Sequence, residues 1–211
     1  MKDPAAYHAW YETPRGAWIG AREADSMLEL MQPNPGGCLL DVGCGTGWFS
    51  AGFAQAGLQV TGLDPDRVVL DFAQQRYPSI RWVEGRGERL PFNDGTFDHA
   101  AAVTSLCFVD DPAAVLREMW RISRHSVVLG LLHRPSLLWL AKRGRGGYRG
   151  ARWDRRVDVR RWVATLEPEP SVQMRWAIFL PWGGSLSHRF DHWLPASLPL
   201  GGFMSVGLRR S

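Results

Sequence analysis

The segment Leu39-Leu40-Asp41-Val42-Gly43-Cys44-Gly45-Thr46-Gly47-Trp48-Phe49 restricts this chain to a small set of architectures. An apolar run ends on an acid, crosses three alternating glycines and leads into an amphipathic stretch. That order reads as strand, tight loop and helix start, the unit with which α/β folds cradle a nucleoside-bearing cofactor. At the glycines a side chain would stand where the ligand must lie, and a tight turn can also demand φ > 0. The spacing is G-x-G-x-G rather than the G-x-G-x-x-G dinucleotide fingerprint, which argues against a nicotinamide cofactor. No Tyr-x-x-x-Lys pair supports such chemistry either. A second expected strand runs into Asp64-Pro65, about 20 residues beyond the loop. A carboxylate at that strand tip can accept both ribose hydroxyls, and the proline ring offers adenine a flat apolar surface.

Apolar runs alternate with helical patterns, which predicts a parallel sheet covered by helices on both faces. Strands are expected near 38–42, 59–63, 80–84, 97–103 and 125–131, with helices over 19–31, 46–56, 66–76 and 112–123. Asp111-Pro112 supplies a cap followed by proline at the first helical position. After residue 131 a basic, Gly-rich stretch at 143–150 interrupts the alternation. A short helix with Asp158 as its cap and 159–166 as its body follows, then two late strands over 172–180 and 203–209. With 211 residues and neither repeat nor linker, one domain over 1–211 is expected, with an N-terminal lid and helix over 1–32 and a basic insertion within 132–202.

The net charge of +4 is unevenly spread: between Arg134 and Arg161 ten Arg or Lys oppose only Asp154 and Asp158. That segment reads as a solvated loop and helix face, as a site for an anionic small molecule, or as an RNA surface on which Tyr148, Trp153 and Trp162 stack on bases. Cys38, Cys44 and Cys107 form no C-x-x-C pair and read as reduced, apolar fillers. His188 and His192 lie four apart, but with no third ligand and no H-E-x-x-H pattern no metal is expected. No apolar stretch approaches the roughly 18 residues of a membrane span, and Met1-Lys2-Asp3-Pro4 has no apolar signal core. A cytoplasmic setting is the expectation.

The residues 40–47 (Leu-Asp-Val-Gly-Cys-Gly-Thr-Gly), 62–65 (Gly-Leu-Asp-Pro) and 90–98 (Leu-Pro-Phe-Asn-Asp-Gly-Thr-Phe-Asp) jointly resemble class I S-adenosylmethionine-dependent methyltransferases, most nearly the small-molecule group termed type 11. The likeness covers residues 5–131 and the remainder in outline. It implies a Rossmann-like α/β fold, with a seven-stranded sheet, mostly parallel, whose last strand is antiparallel, in three α/β/α layers. It also implies S-adenosylmethionine as cofactor and S-adenosylhomocysteine as product. By that resemblance Asp41 orients the methionine amino group, and Gly43, Gly45 and Gly47, with Cys44 between them, bring the backbone against the methionine portion. Asp64 holds the ribose, Pro65 packs on adenine, and Thr104 offers its backbone carbonyl to the amino group. Tyr7-His8-Ala9-Trp10-Tyr11 resembles the group's lid, with Tyr11 among the aromatics closing over the sulfonium; simple surface packing of Trp10 and Tyr11 is the alternative. Arg86 stands where many relatives carry an aspartate that accepts from adenine, and it cannot accept a hydrogen bond. Either a neighbouring backbone carbonyl in the Gly87 region serves adenine instead, or the Glu88 carboxylate reaches in, or cofactor affinity is weakened; Glu88 facing solvent is the alternative to its involvement. Ile122-Ser123-Arg124-His125 lacks the usual Pro-Gly-Gly turn, a departure expected to alter only a remote loop.

Methyl transfer from a sulfonium is an in-line displacement, so the protein mainly aligns reactants and excludes water, which supplies roughly 7–11 kcal/mol. A base is needed only for an acceptor that arrives protonated. His133, following the fifth strand, is the candidate, with a core or loop histidine as the alternative. Cys107 lacks the Pro-Cys context of nucleobase C5 chemistry, and the Asn/Asp-Pro-Pro-Tyr signature is missing. A small-molecule acceptor, anionic or aromatic, is therefore expected rather than nucleic acid or membrane. Two rivals remain open: an RNA methyltransferase using 134–161, and a non-catalytic protein that binds the cofactor. Trp176, Trp182 and Trp193 read as an aromatic substrate wall or as packing.

Overall fold

A computed structural model of the chain describes residues 3–180, 191 and 193–210. Its strands are β1 (Cys38–Val42), β2 (Gln59–Asp64), β3 (Arg81–Glu84), β4 (Phe97–Val103), β5 (Ser123–Leu132), β6 (Ser171–Ala177) and β7 (Phe203–Arg209). They form one sheet in the order β3-β2-β1-β4-β5-β7-β6. β7 is antiparallel to both β5 and β6, and the other pairs are parallel. The helices are α1 (Pro4–Glu12), α2 (Pro14–Met31), α3 (Trp48–Gln55), α4 (Arg67–Arg76), α5 (Pro112–Ile122), α6 (Leu137–Lys142) and α7 (Arg156–Val163). The expected Rossmann-like sheet with an antiparallel last strand is the one found. Strand order reverses between β1 and β4, which opens a crevice beyond their carboxyl ends.

Strand side chains alternate between faces, and both faces here are buried. Leu39, Ala101, Val103 and Val128 pack with Met27, Leu30, Phe49 and Phe53 of α2 and α3. Leu40, Val42, Ala100, Ala102 and Leu129 pack the other way, with Leu116 and Met119 of α5 and Val159 and Val163 of α7. Asp41, lying between Leu40 and Val42, is thereby turned toward α3.

Several boundaries depart from the sequence reading. α1 precedes the expected N-terminal helix, and α2 starts at Pro14 rather than residue 19. The two share a hinge at Thr13, whose Oγ1 accepts the Gly16 N–H at 3.0 Å and donates to the Trp10 carbonyl at 2.6 Å. Proline at both helix starts fits the first turn, where no N–H is needed. α5 passes straight into β5, with the Ser123 hydroxyl donating to the Met119 carbonyl at 2.7 Å. That bond stands in for the missing Pro-Gly-Gly turn. Asp158 is the third residue of α7, not its cap; its Oδ2 accepts the Arg155 N–H at 2.9 Å. α6 was not foreseen, and β6 ends at Ala177. His188, His192 and Trp182 lie outside the described residues. Among the described residues, no helix is long and apolar enough to cross a membrane.

Candidate active site

The loop from β1 to α3 holds Gly43, Gly45 and Gly47 at φ of +73°, +52° and +78°. A Cβ at Gly43 would stand 2.4 Å from the Ser105 Cβ, and one at Gly47 2.4 Å from the Trp82 ring. Positive φ at all three is the turn demand that the sequence reading named beside ligand room, and at Gly43 and Gly47 protein neighbours add to it. The Gly43 and Cys44 N–H groups both donate to the Leu63 carbonyl, at 2.7 and 3.1 Å, and tie the loop to the end of β2. At that end the Asp64 carboxylate accepts the Gly45 N–H on Oδ2 and the Asp66 N–H on Oδ1, each at 2.9 Å. Both oxygens are oriented and keep a lone pair for a ligand. Burial raises the Asp64 pKa, opposed by the Asp66 and Gly45 N–H groups. Asp41 accepts the Ser50 hydroxyl at 2.6 Å, and burial pushes its carboxyl up to about 7.

These groups open onto one cavity of about 990 Å³. Asp41, Gly43, Cys44, Gly45, Asp64 and Pro65 form one side, and Gly87, Glu88 and Thr104 another. Gly47 is not on the wall; it faces Trp82. Thr104 sits at the tip of β4 with φ of +47°, a left-handed conformation that costs a branched residue about 1–3 kcal/mol. The Thr104 N–H donates to the Gly130 carbonyl at 2.8 Å, and its carbonyl accepts the Cys107 thiol at 3.0 Å. Arg86 lies at the cavity edge with its Nε 3.7 Å from the Glu88 carboxylate, so it neutralises the acid beside it.

α1 covers the glycine loop. His8 is buried, with Nδ1 3.1 Å from the Thr46 hydroxyl and Nε2 3.3 Å from the Tyr77 hydroxyl. Tyr11 is buried and stacks on Trp48 at 4.7 Å between centroids, and its hydroxyl is 3.2 Å from that of Tyr7. The opposite rim comes from the basic segment: Lys142, Arg145 and Tyr148 line the same cavity. Much of that segment's charge is used in packing. Arg134 and Arg143 lie over Trp139, at 4.6 and 4.7 Å from the ring centroid. Arg152 lies over Trp162 at 5.2 Å. Tyr148 turns to the cavity and meets Trp153 at 5.5 Å, so rings expected to stack on bases are engaged within the fold.

His133 does not line the cavity. It is buried, its Nδ1 is 2.9 Å from the Gly201 carbonyl and its ring packs edge-on to Trp176 at 5.8 Å. Burial lowers its pKa. The expectation of a catalytic His133 is corrected to its core alternative. Trp176 is likewise packing, while Trp193 is exposed. Burial pushes the Cys107 thiol up to about 12, which leaves no thiolate nucleophile near neutrality. Glu23, absent from the sequence reading, lines the cavity from α2. Its signal was a charge four residues from both Ile19 and Met27 on the buried stripe of that helix. Among the described residues no His, Cys, Asp and Glu cluster could hold a metal ion.

Residues 40–129 match the family described as "Methyltransferase domain". An uncharacterized protein of Mycobacterium bovis is 35% identical over 175 residues, covering 77% of this chain and 57% of that protein. A malonyl-[acyl-carrier protein] O-methyltransferase of Pectobacterium atrosepticum is 34% identical over 115 residues, covering 54% of this chain and 46% of the relative. The chain thus spans about half the length of these curated relatives. Among solved structures, a SAM-dependent methyltransferase of Thermotoga maritima, described as a possible histamine N-methyltransferase, superposes with a TM-score of 0.74 at 21% identity. That match covers 98% of this chain and 95% of the other. Magnesium protoporphyrin IX methyltransferase of Synechocystis, solved with bound SAM, gives 0.63 at 16% identity, over 92% of this chain and 81% of that one. Fold, glycine loop and family match coincide on the same residues: the 40–129 region of this chain is similar to the methyltransferase domain family, and its fold is that of solved SAM-dependent methyltransferases.

Proposed function

We propose that the chain transfers the methyl group of S-adenosylmethionine to a small-molecule acceptor, within one domain over 1–211. The observation that carries this reading is the Asp64 carboxylate, fixed by two backbone N–H groups beside the glycine loop in a cavity of about 990 Å³. Its two free lone-pair sites match a ribose diol, and a chamber of this size suits a nucleoside plus a second ligand. In this reading Pro65 takes the adenine face, and Asp41 with the Thr104 carbonyl takes the methionine ammonium. When bound, the sulfonium supplies an activated methyl group. Glu88, held by Arg86, stands on the Gly87 side of the cavity. The acceptor is a small molecule rather than RNA, because Trp162 and Trp139 are covered by arginines and Tyr148 faces inward. The rival of a silent cofactor-binding protein rests on Arg86, which lies at the cavity edge 3.7 Å from the Glu88 carboxylate.

Two measurements test the reading. Titration calorimetry with S-adenosylhomocysteine should show binding that Asp64→Asn weakens by about 2–3 kcal/mol, roughly 30- to 150-fold, with the fold intact by circular dichroism. Unchanged affinity would remove Asp64 from the site. Labelled S-adenosylmethionine incubated with cell extract should place its label in the small-molecule fraction; label in RNA alone would favour the rival acceptor.

A further inference from the structure

The buried stripe of α2 is made of Gly16, Ile19, Gly20, Ala24, Ser26, Met27, Leu30 and Met31, with one charged exception, Glu23. Ser26 is satisfied there by the Ser205 hydroxyl at 2.8 Å. Glu23 is only 8% exposed and, among the described residues, has no hydrogen bond or ion pair. It faces the cavity. An unpartnered carboxyl in such a place disfavours folding, and groups of that kind concentrate where chemistry is done.

The surroundings define what it would meet. Tyr7 and Tyr11 of α1 and Tyr148 of the basic segment all act electrostatically with Glu23. Arg15 at the start of α2 and Cys107 after β4 complete the neighbouring titratable groups on the cavity wall. Burial raises all three tyrosines and Cys107, and lifts Glu23 to about 8, so Glu23 ionises first among them on raising the pH. Asp41, farther along the cavity on β1, titrates near 7.

We infer that Glu23 takes the proton of the methyl acceptor, and that this acceptor is a ring-sized phenol held among Tyr7, Tyr11 and Tyr148. The inference rests on the methyltransferase reading and adds a base and an acceptor class to it. Aromatic walls accept a flat ring edge-on or offset. Tyrosine hydroxyls around Glu23 can exchange hydrogen bonds with an acceptor hydroxyl. A phenol, with a pKa near ~10, needs a base at neutral pH, and one poised within a few units of it is effective. In the step, the acceptor oxygen forms a bond to the methyl carbon as the carbon–sulfur bond breaks, its electron pair staying on sulfur. The O–H bond breaks with its proton passing to the Glu23 carboxylate, and the positive charge of the sulfonium is lost.

The test uses the full chain and Glu23→Gln, which keeps size and shape. S-adenosylhomocysteine affinity by calorimetry should be the same in both proteins. With labelled S-adenosylmethionine and phenol as acceptor, the variant should lose about 10²-fold or more in kcat near pH 8, and the levelling of the rate above pH 8 should give way to a rise that continues toward the phenol's own pKa. With 4-nitrophenol, which ionises unaided near neutrality, the loss should be under about threefold, because no base is required. Glu23→Asp, an acid withdrawn by one methylene, should keep the rising limb at a reduced rate on phenol. Equal losses on both phenols, or cofactor affinity lost with Glu23→Gln, would overturn the role. No transfer to either phenol by a wild type that binds cofactor would overturn the acceptor class. A wild type that binds no cofactor refutes instead the methyltransferase reading beneath it.

Discussion

Gly47 and Thr104 both hold left-handed backbone, for different reasons. Gly47 has no cavity to serve; it sits under the Trp82 ring, and any Cβ would displace that ring. Gly47→Ala should therefore cost about 1–3 kcal/mol by urea denaturation. Thr104 keeps its strain just past the tip of β4, where the residue lines the cavity and its carbonyl accepts the Cys107 thiol. Asp41 supplies a second residue-level prediction. With its pKa near 7, it is largely protonated at pH 6, and an incoming ammonium favours its ionised form. Cofactor binding at pH 6 should release a proton, detected by calorimetry in buffers of different ionisation enthalpy. At pH 9, or in Asp41→Asn, that release should be absent.

At the scale of elements, α1 is the sensitive piece. A nine-residue helix has little stability of its own; docking holds it, through His8 between Thr46 and Tyr77, the Tyr11–Trp48 stack and the Arg76–Glu12 pair. Burial lowers the His8 pKa, so the docked state contributes stability above the ordinary histidine value and loses it as pH falls through the lowered one. Protection factors for amide exchange in α1 should fall as pH drops below the ordinary histidine range, and His8→Asn should remove most of that dependence. The same element shows what sequence can disclose. β1, β2, β4 and β7 were legible because apolar runs and the glycine loop are local signals. α1 and α6 were not, since each depends on contacts with distant residues. The cofactor loop and Asp64 were readable from spacing. The wall opposite them was not: Tyr148 lines the cavity from a segment packed through Arg134 and Arg143 on Trp139, and His133 is bonded inward to the Gly201 carbonyl, contacts between positions that no local pattern links.

Across the whole molecule, buried acids set how stability follows pH. A glutamate raised to about 8 in the fold, against 4.5 ordinarily, binds a proton that the unfolded chain has already released. Its contribution is complete below the lower value and is lost as pH rises through the upper one. Glu23→Gln should therefore match the wild type near pH 4 and exceed it at pH 9 by on the order of 3 kcal/mol, read as denaturation midpoints. Sheet order has a consequence of another kind. β7 (Phe203–Arg209) lies between β5 and β6, and its Ser205 meets Ser26 from 179 positions earlier. During synthesis, β5 and β6 have no strand to join them until residue 209 has left the ribosome. Until then β5 keeps an open edge, a template on which other chains can pair.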